Sequence, residues 1–348
     1  MGESEPVVVV AVTGATGLVG SSLVKHLAGN GYRVKALVRD GKRAEEILAE
    51  AQSVEIVEAD ILDVGALAAA FEDVDAVVHA AGSVDPYGKR ELIFSTNVEG
   101  TRTVLAAAIQ KDVRHFLYIS SLSVITGQGD QFDVDESAPL VRCGEAYADS
   151  KMEAENLVMN ESNSDDIMVT SLRPGFIYGP FERAWMPRLI DSIARGKAML
   201  IDGGVKDTNV IYVENLNRAI TAAILNVRAF GQVYNLTDGQ SVSKKLLFDT
   251  IADGMELPRV KKTIPSLVAK TASELISTVA PFLGPDKQRK LARYSRAAFR
   301  LAGVNQGFSI AKAERDLDYV DRIPFEKGMK EALSAFKQTS SAGGRYGK

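Results

Sequence analysis

Apolar side chains arrive in short runs through the first half of the chain, at residues 7–12, 33–38, 54–58, 76–79, 116–119 and 168–172. Between the runs lie segments of helical period, among them 19–29, 64–71 and 98–111. The first run, Val7 to Val12, is continuous rather than alternating, as suits a strand buried on both faces. Strand alternating with helix predicts an α/β fold, a doubly wound parallel sheet with right-handed connections.

Beyond Pro174 the alternation loosens. Residues 181–205 contain Pro187 and the pair Gly203-Gly204, a strand-like run follows at 210–213, and the next pattern predicts a helix over 215–228. Residues 233–348 read as mostly helical and irregular. The expected organisation is a sheet domain over 1–180, to which 206–230 return. Residues 181–205 and 231–339 form a smaller, mostly helical substrate-side lobe, and 340–348 a Gly/Ser-rich flexible tail.

Composition narrows the function classes. At 348 residues, with 46% hydrophobic and 25% charged, the chain can bury a sizeable core. A net charge of −4 speaks against nucleic acid as a partner. Cys143 is the one cysteine, so no internal disulfide forms, and a reducing, cytoplasmic setting is expected. Met1 to Pro6 is acidic and lacks the basic n-region of a signal peptide. Pro6 stands where a myristoylation signal needs Ser or Thr. Residues 266–284 are fairly apolar but carry Lys270 and Glu274, so no membrane span is expected there. A wall of the substrate cavity and a membrane-surface contact are both open to that segment.

Candidate chemistry begins where the first strand should turn into the first helix, at Thr13-Gly14-Ala15-Thr16-Gly17-Leu18-Val19-Gly20. Glycines at 14, 17 and 20 permit a tight turn, approach of backbone to a pyrophosphate, and close packing of helix on strand. The helix N-terminus then offers free N–H groups to the phosphates. The spacing is Gly-x-x-Gly-x-x-Gly, and its strand–turn–helix setting makes it a dinucleotide site. The second strand ends Val38-Arg39-Asp40, with Val38 where an NAD site has its acidic residue. Arg39, with Lys42 and Arg43 nearby, can grip a 2′-phosphate, so NADP(H) is expected over NAD(H). A solvated basic turn is the plainer role for these residues.

Asp60, after the third strand, can accept from an adenine amino group or cap the next helix. The small residues Ala80, Ala81 and Gly82 after His79 let backbone lie against the cofactor. His79 itself reads as a packed strand-end residue.

Phe116 to Ile119 should end a strand at Ser120-Ser121, on the sheet edge where open α/β sheets bind ligands. Tyr147 and Lys151 are four apart and share a helix face. Reduction of a ketone needs hydride at carbon and a proton at oxygen. A free phenol has a pKa near 10, and a neighbouring ammonium together with an oxidised nicotinamide would lower it. Ser121 would hydrogen-bond the substrate oxygen, with Ser120 the alternative, and Lys151 would orient the nicotinamide ribose. No metal ligands are expected.

With these residues the chain resembles the extended short-chain dehydrogenase/reductase superfamily. The shared elements are the glycine loop, Asp60-Ile61, His79-Ala80-Ala81-Gly82, Asn97-Val98-Glu99-Gly100-Thr101, Ser120-Ser121, Tyr147-x-x-x-Lys151 and Leu172-Arg173-Pro174-Gly175-Phe176-Ile177-Tyr178-Gly179-Pro180. Weaker matches at 211–216 and 234–236 extend it. The resemblance implies a Rossmann-type domain and a Ser121–Tyr147–Lys151 active site. It also implies that Ile61 and Pro174 to Ile177 line the cofactor, and that Asn97 supports a substrate or water chain, a helix cap being its other role. Arg173 is read as structural. Within the superfamily the chain is similar to 3β-hydroxysteroid dehydrogenase-like and dihydroflavonol-reductase-like proteins, the latter through Val38-Arg39-Asp40 and the former through 308–328. A homodimer is an expectation carried by relatives.

Three functions compete on sequence. The first is an NADP(H)-dependent oxidoreductase acting on a ketone or secondary alcohol of a bulky apolar small molecule. The second is a sugar-nucleotide epimerase or dehydratase holding NAD tightly; Leu122-Ser123-Val124 after Ser121 departs from the pattern common there. The third is a non-catalytic NADP sensor, against which both Tyr147 and Lys151 are retained.

Overall fold

The computed structural model describes residues 7–341 except 86–87, 128, 285–286, 288–290 and 292–293. The acidic stretch 1–6 and the tail from 342 lie outside the described residues. Residues 340–341, expected in that tail, continue the helix Phe325–Ser341.

The apolar runs become strands β1 (Val9–Thr13), β2 (Arg33–Val38), β3 (Val54–Glu58), β4 (Ala76–His79) and β5 (His115–Ile119). A short β6 (Gln131–Val134) follows outside the sheet, then β7 (Met168–Pro174) within it. Beyond these come β8 (Phe176–Tyr178), β9 (Leu200–Ile201), β10 (Asp207–Thr208), β11 (Val210–Tyr212) and β12 (Gln232–Leu236). The main sheet has seven strands in the order β12-β7-β5-β4-β1-β2-β3, every pairing parallel. The order reverses beside β1, so the crevice for a ligand opens at the carboxyl ends of β1 and β4.

Successive strand residues point to opposite faces, and both faces are covered. Val10, Val12, Val78 and Leu117 pack with Leu23 and Leu27 of α1 (Leu18–Gly29), Ala44 and Leu48 of α2 (Gly41–Leu48), and Ile220 of α8 (Val213–Ala223). Ala11, Val77 and Phe116 pack with Leu67 and Phe71 at α3 (Val64–Ala70), Val104 of α5 (Gly100–Gln110), and Val158 of α6 (Ala146–Met159). The short helix α4 (Arg90–Phe94) leads through a π-helical turn, Ser95–Glu99, into α5.

A third core holds three further helices. Tyr178 of β8 and Tyr212 of β11 pack with Ile190 of α7 (Met186–Ala194), Leu247 and Ile251 of α9 (Lys244–Gly254), and Phe325 and Met329 of the helix Phe325–Ser341. Two-stranded pairs tie this region together: β13 (Val242–Ser243) on β10, β14 (Thr263–Ile264) on β9, and β15 (Gln306–Phe308) on β6. The helix α10 (Ser266–Val279) follows β14.

Two expectations are corrected. Residues 232–236, expected in the lobe, form the edge strand β12, paired in register with β7 from Gln232–Thr170 to Leu236–Pro174. The helix expected over 215–228 is α8 and stops at Ala223. Leu225 then takes φ +55° and its N–H bonds the His115 imidazole at 3.0 Å, which turns the chain towards β12.

Gly175 lets two strands cross between β7 and β8. A Cβ there would lie 1.9 Å from the Asn209 carbonyl oxygen, which accepts the next N–H, from Phe176, at 2.6 Å. Gly175→Ala should therefore force backbone apart at a cost of about 1–3 kcal/mol. The thermal midpoint should fall by several degrees, and an unchanged melting curve would show that the crossing tolerates a side chain.

Candidate active site

The loop after β1 is closed by its own glycines. Gly14 has φ +69°, and a Cβ there would meet the Ala81 Cα and N at 2.8 Å. A Cβ on Gly20 would meet the Gly14 oxygen at 2.2 Å. Gly17 is the extended N-cap of α1 and provides no side-chain cap, so the first-turn N–H groups point free of the protein's own side chains. Thr16 is half-buried in the loop. The Leu18 side chain packs on the third core and Val19 on the sheet core, so these two offer a phosphate their backbone only.

His79 is buried and bonded at both nitrogens. Thr13 Oγ1 lies 2.7 Å from Nδ1, Nε2 lies 3.0 Å from Thr101 Oγ1, and Thr101 donates to the Asn97 carbonyl at 2.6 Å. The Thr101 proton is thereby committed, so Nε2 carries the ring hydrogen and Nδ1 accepts from Thr13. Burial, reinforced by the Lys151 charge, holds the His79 pKa down to about 3. The imidazole is a neutral brace, and Thr13 also accepts the Ala81 N–H at 3.2 Å.

At the end of β2, Val38 is buried and Arg39, Lys42 and Arg43 are exposed. Among the described residues Arg39 makes no ion pair. The Asp40 carboxylate caps α2, accepting from the Arg43 N–H at 3.1 Å. Asp60 is exposed and accepts the Leu62 N–H at 2.9 Å. It does not cap the next helix, since Asp63 does so through Gly65 and Ala66. Ile61 packs against Gly100, where a Cβ would come within 2.5 Å of its methyl group.

Asn97 joins the backbone after β4 to α6. Its carbonyl accepts the Ser83 N–H at 2.6 Å, and its amide donates to the Ser83 oxygen at 3.1 Å and to Ser150 Oγ at 2.9 Å. Ser150 donates to the Tyr147 carbonyl at 2.7 Å. Asn97 therefore caps no helix; it sits within the π-helical turn, a distortion often found at functional sites. Gly82 lies beside it, its Cβ position 3.3 Å from Asn97 Oδ1 and 3.5 Å from Lys151 Nζ. Ala80 and Ala81 are half-buried next to the glycine loop.

Ser121, Tyr147 and Lys151 come together at the carboxyl end of β5. Ser120 is buried with no partner for its hydroxyl among the described residues, whereas Ser121 is half-buried and interacts with the Tyr147 phenol. Burial raises the Tyr147 pKa and the Ser121 hydroxyl opposes the rise. Lys151 Nζ donates to the Ile119 oxygen at 2.6 Å and stands 4.7 Å from the Tyr118 ring centroid. Burial brings its pKa down to about 8, against the pull of Glu155 one turn further along α6.

Sequence reasoning missed what holds that helix. Asp149, inside the Tyr–Lys spacing, accepts the Cys143 N–H at 2.9 Å and pairs with Arg90 at 3.0 Å. Glu155 forms a buried pair with Arg173 (2.5 Å) and accepts from Ser171 at 2.9 Å. The four-residue step from Tyr147 through Lys151 to Glu155 was the available signal. Pro174 is buried at the end of β7, while Gly175, Phe176 and Ile177 are half-buried, with the Ile177 oxygen taking the Trp185 indole N–H at 2.9 Å.

The residues fit a dinucleotide: an uncapped helix start, a loop too tight for side chains, two alanines beside it and a cation at the end of β2. Among the described residues no His, Cys, Asp and Glu cluster could hold a metal.

Comparison with known proteins gives the family and the fold. The model of the 3-beta hydroxysteroid dehydrogenase/isomerase family matches residues 11–258. A 3beta-hydroxysteroid-dehydrogenase/decarboxylase of Arabidopsis thaliana is 26% identical over 269 residues, 74% of this chain and 61% of that protein. The chain thus spans less than two thirds of that relative's length. A 4-hydroxy-2-methyl-3-oxo-4-farnesyl-3,4-dihydroquinoline-1-oxide ketoreductase of Stigmatella aurantiaca is 30% identical over 266 residues, 76% of this chain and 77% of that one. Among solved structures, an epimerase of Methanothermobacter thermautotrophicus superposes with a TM-score of 0.78 at 23% identity, covering 97% of this chain and 94% of its own, and so shares the fold. The chain belongs to the 3-beta hydroxysteroid dehydrogenase/isomerase family, within the extended short-chain dehydrogenase/reductase superfamily.

Proposed function

We propose that the chain is an NADP(H)-dependent oxidoreductase that interconverts a ketone and a secondary alcohol on a bulky apolar small molecule. The observation that carries this reading is the meeting of Ser121, Tyr147 and Lys151 at the carboxyl end of β5, beside the glycine loop. The relatives named for a hydroxysteroid and for a farnesylated dihydroquinoline ketone support the substrate class.

The nicotinamide, when bound, supplies or takes the hydride. The chain's own groups hold it and move the proton. Free N–H groups at the start of α1 receive the pyrophosphate, and Arg39 receives the 2′-phosphate. Lys151, beside Gly82, is placed to turn from the Ile119 oxygen to a ribose hydroxyl. Ser121 donates to the substrate oxygen, and Tyr147 gives that oxygen its proton in reduction or takes it in oxidation. Burial raises the Tyr147 pKa and the Ser121 hydroxyl opposes it; an ammonium on Lys151, brought beside the phenol, would further favour the phenolate.

Removing the phenol tests the assignment. Tyr147→Phe should lower kcat about 10²–10⁴-fold with nucleotide affinity largely kept; unchanged turnover would sink the mechanism. Arg39→Ala should weaken NADPH binding about tenfold or more, the worth of a charge-assisted hydrogen bond, and leave NADH binding alone. Equal NADPH affinity in the variant and the parent would remove the case for NADP(H). A protein that retained stoichiometric NAD and acted on a nucleotide sugar without added cofactor would instead be an epimerase.

The pH profile tests Lys151. Its depressed pKa means that the ammonium is lost as pH rises through about 8 rather than near the ordinary lysine value. The kcat/KM for ketone reduction should therefore descend near pH 8, and a profile flat through that range would show that the ammonium is not required.

A further inference from the structure

The floor beneath the Lys151 ammonium is aromatic. Nζ stands over the Tyr118 ring, 4.7 Å from its centroid, while one of its hydrogens goes to the Ile119 oxygen at 2.6 Å. An ammonium within about 6 Å of a ring face is attracted by the negative π cloud, the more so where water is excluded. Tyr118 is fully buried, and burial pushes its phenol well above the usual tyrosine value, so the ring is that of a neutral phenol.

Neighbours on both sides hold the ring in place. Tyr118 stands in register between His79 of β4 and Ser171 of β7. The His79 imidazole stacks on it, with centroids 6.0 Å apart and planes inclined by 28°, and is itself fixed by Thr13 and Thr101. Ser171 donates to Glu155 at 2.9 Å.

The charged and titratable groups about the ammonium leave the ring a distinct part. On α6, Tyr147 lies one turn before Lys151 and Glu155 one turn after it. On β4, His79 is neutral; on β7, Arg173 faces Glu155. The Glu155 carboxylate is taken by Arg173 and Ser171, and it acts on Lys151 as a charge alone. A carboxylate in direct contact would lock the ammonium through a short, directional bond. A ring face favours the positive charge without fixing one direction, so the ammonium can swing between the Ile119 oxygen and a ribose hydroxyl.

We propose, resting on the role given to Lys151 in the ketone–alcohol chemistry above, that Tyr118 is a positioning residue: its ring face steadies the Lys151 ammonium beside Gly82 and leaves it free to turn towards the nicotinamide ribose.

Nucleotide titrations across pH test this. The ammonium contributes to affinity at low pH and is lost as pH rises through about 8, so the affinity for NADPH, read by its fluorescence, should fall there. NADH is titrated alongside. Without the attraction of the ring, the ammonium is lost at lower pH. Tyr118→Met fills the space without a π face and should move the fall down by about half a unit to one and a half units. Tyr118→Phe should leave it in place. Replacing Tyr118 by phenylalanine of increasing ring fluorination keeps the shape and weakens the face by steps. The fall should then move down in the same order, whether or not the Met variant folds. A parent without the fall, a fall unmoved across the fluorinated series, or a Phe variant that behaves as the Met variant does overturns the proposal. Turnover that survived Tyr147→Phe would sink the reaction assigned to the site, while the nucleotide titrations would still decide the role of Tyr118.

Discussion

Backbone contact between Gly14 and Ala81 is the constraint on which the site depends. A side chain at position 14 would stand 2.8 Å from the neighbouring backbone, so the loop after β1 and the end of β4 touch with nothing between them. From Ala81 the chain passes to Gly82 and Ser83, where Asn97 grips the backbone through both of its amide atoms and reaches Ser150 on α6. One short path therefore runs from the glycine loop through Ser83, Asn97 and Ser150 to the backbone carbonyl of Tyr147. Shifting any member changes the distance between the glycine loop and the pair Tyr147 and Lys151, and the proposed chemistry is sensitive to such displacements.

Around that path the protein has buried polar groups and satisfied most of them. His79, neutral between two threonines, fixes Thr13 so that its oxygen can take the Ala81 N–H. The Glu155–Arg173 pair is buried at the base of α6, with Ser171 completing the carboxylate's partners. Removing one member of such a pair strands a charge, whereas the intact pair sets the orientation of the helix that carries Tyr147 and Lys151. The Glu155 carboxylate also opposes the burial that would otherwise discharge Lys151 further.

Much of this was legible in sequence because the sheet is buried on both faces. Runs such as 33–38 and 76–79 must be apolar to lie there, and they mark six of the seven sheet strands and the loop between the first strand and the first helix. β12 escaped because an edge strand is less demanding: Gln232 and Asn235 interrupt it, and the Asn235 backbone and amide are claimed by Glu136 and Val134 across the fold. The end of α8 escaped because a tertiary bond, Leu225 to His115, stops the helix where its sequence would continue. Adjacent serines at 120 and 121 could not be separated by period alone at a strand end; in the fold the Ser120 hydroxyl is buried and the half-buried Ser121 meets the Tyr147 phenol. Asp40 was ambiguous as an acid near a ribose site, and its capping bond to Arg43 gives it another occupation.

The pairing of β15 with β6 places the last part of the chain against the first part of the site. Asn305 bonds the Gln131 backbone, and Arg300 pairs with Glu145, the N-cap of the helix that presents Tyr147. During synthesis from the N-terminus, five strands and the glycine loop emerge well before residues 300–308 do. A nascent chain can thus form much of the nucleotide cradle while the entry to α6 still lacks its anchoring partner. Assembly has an order built into it: the glycine loop and its sheet first, and a fully braced α6 only when the late segment returns.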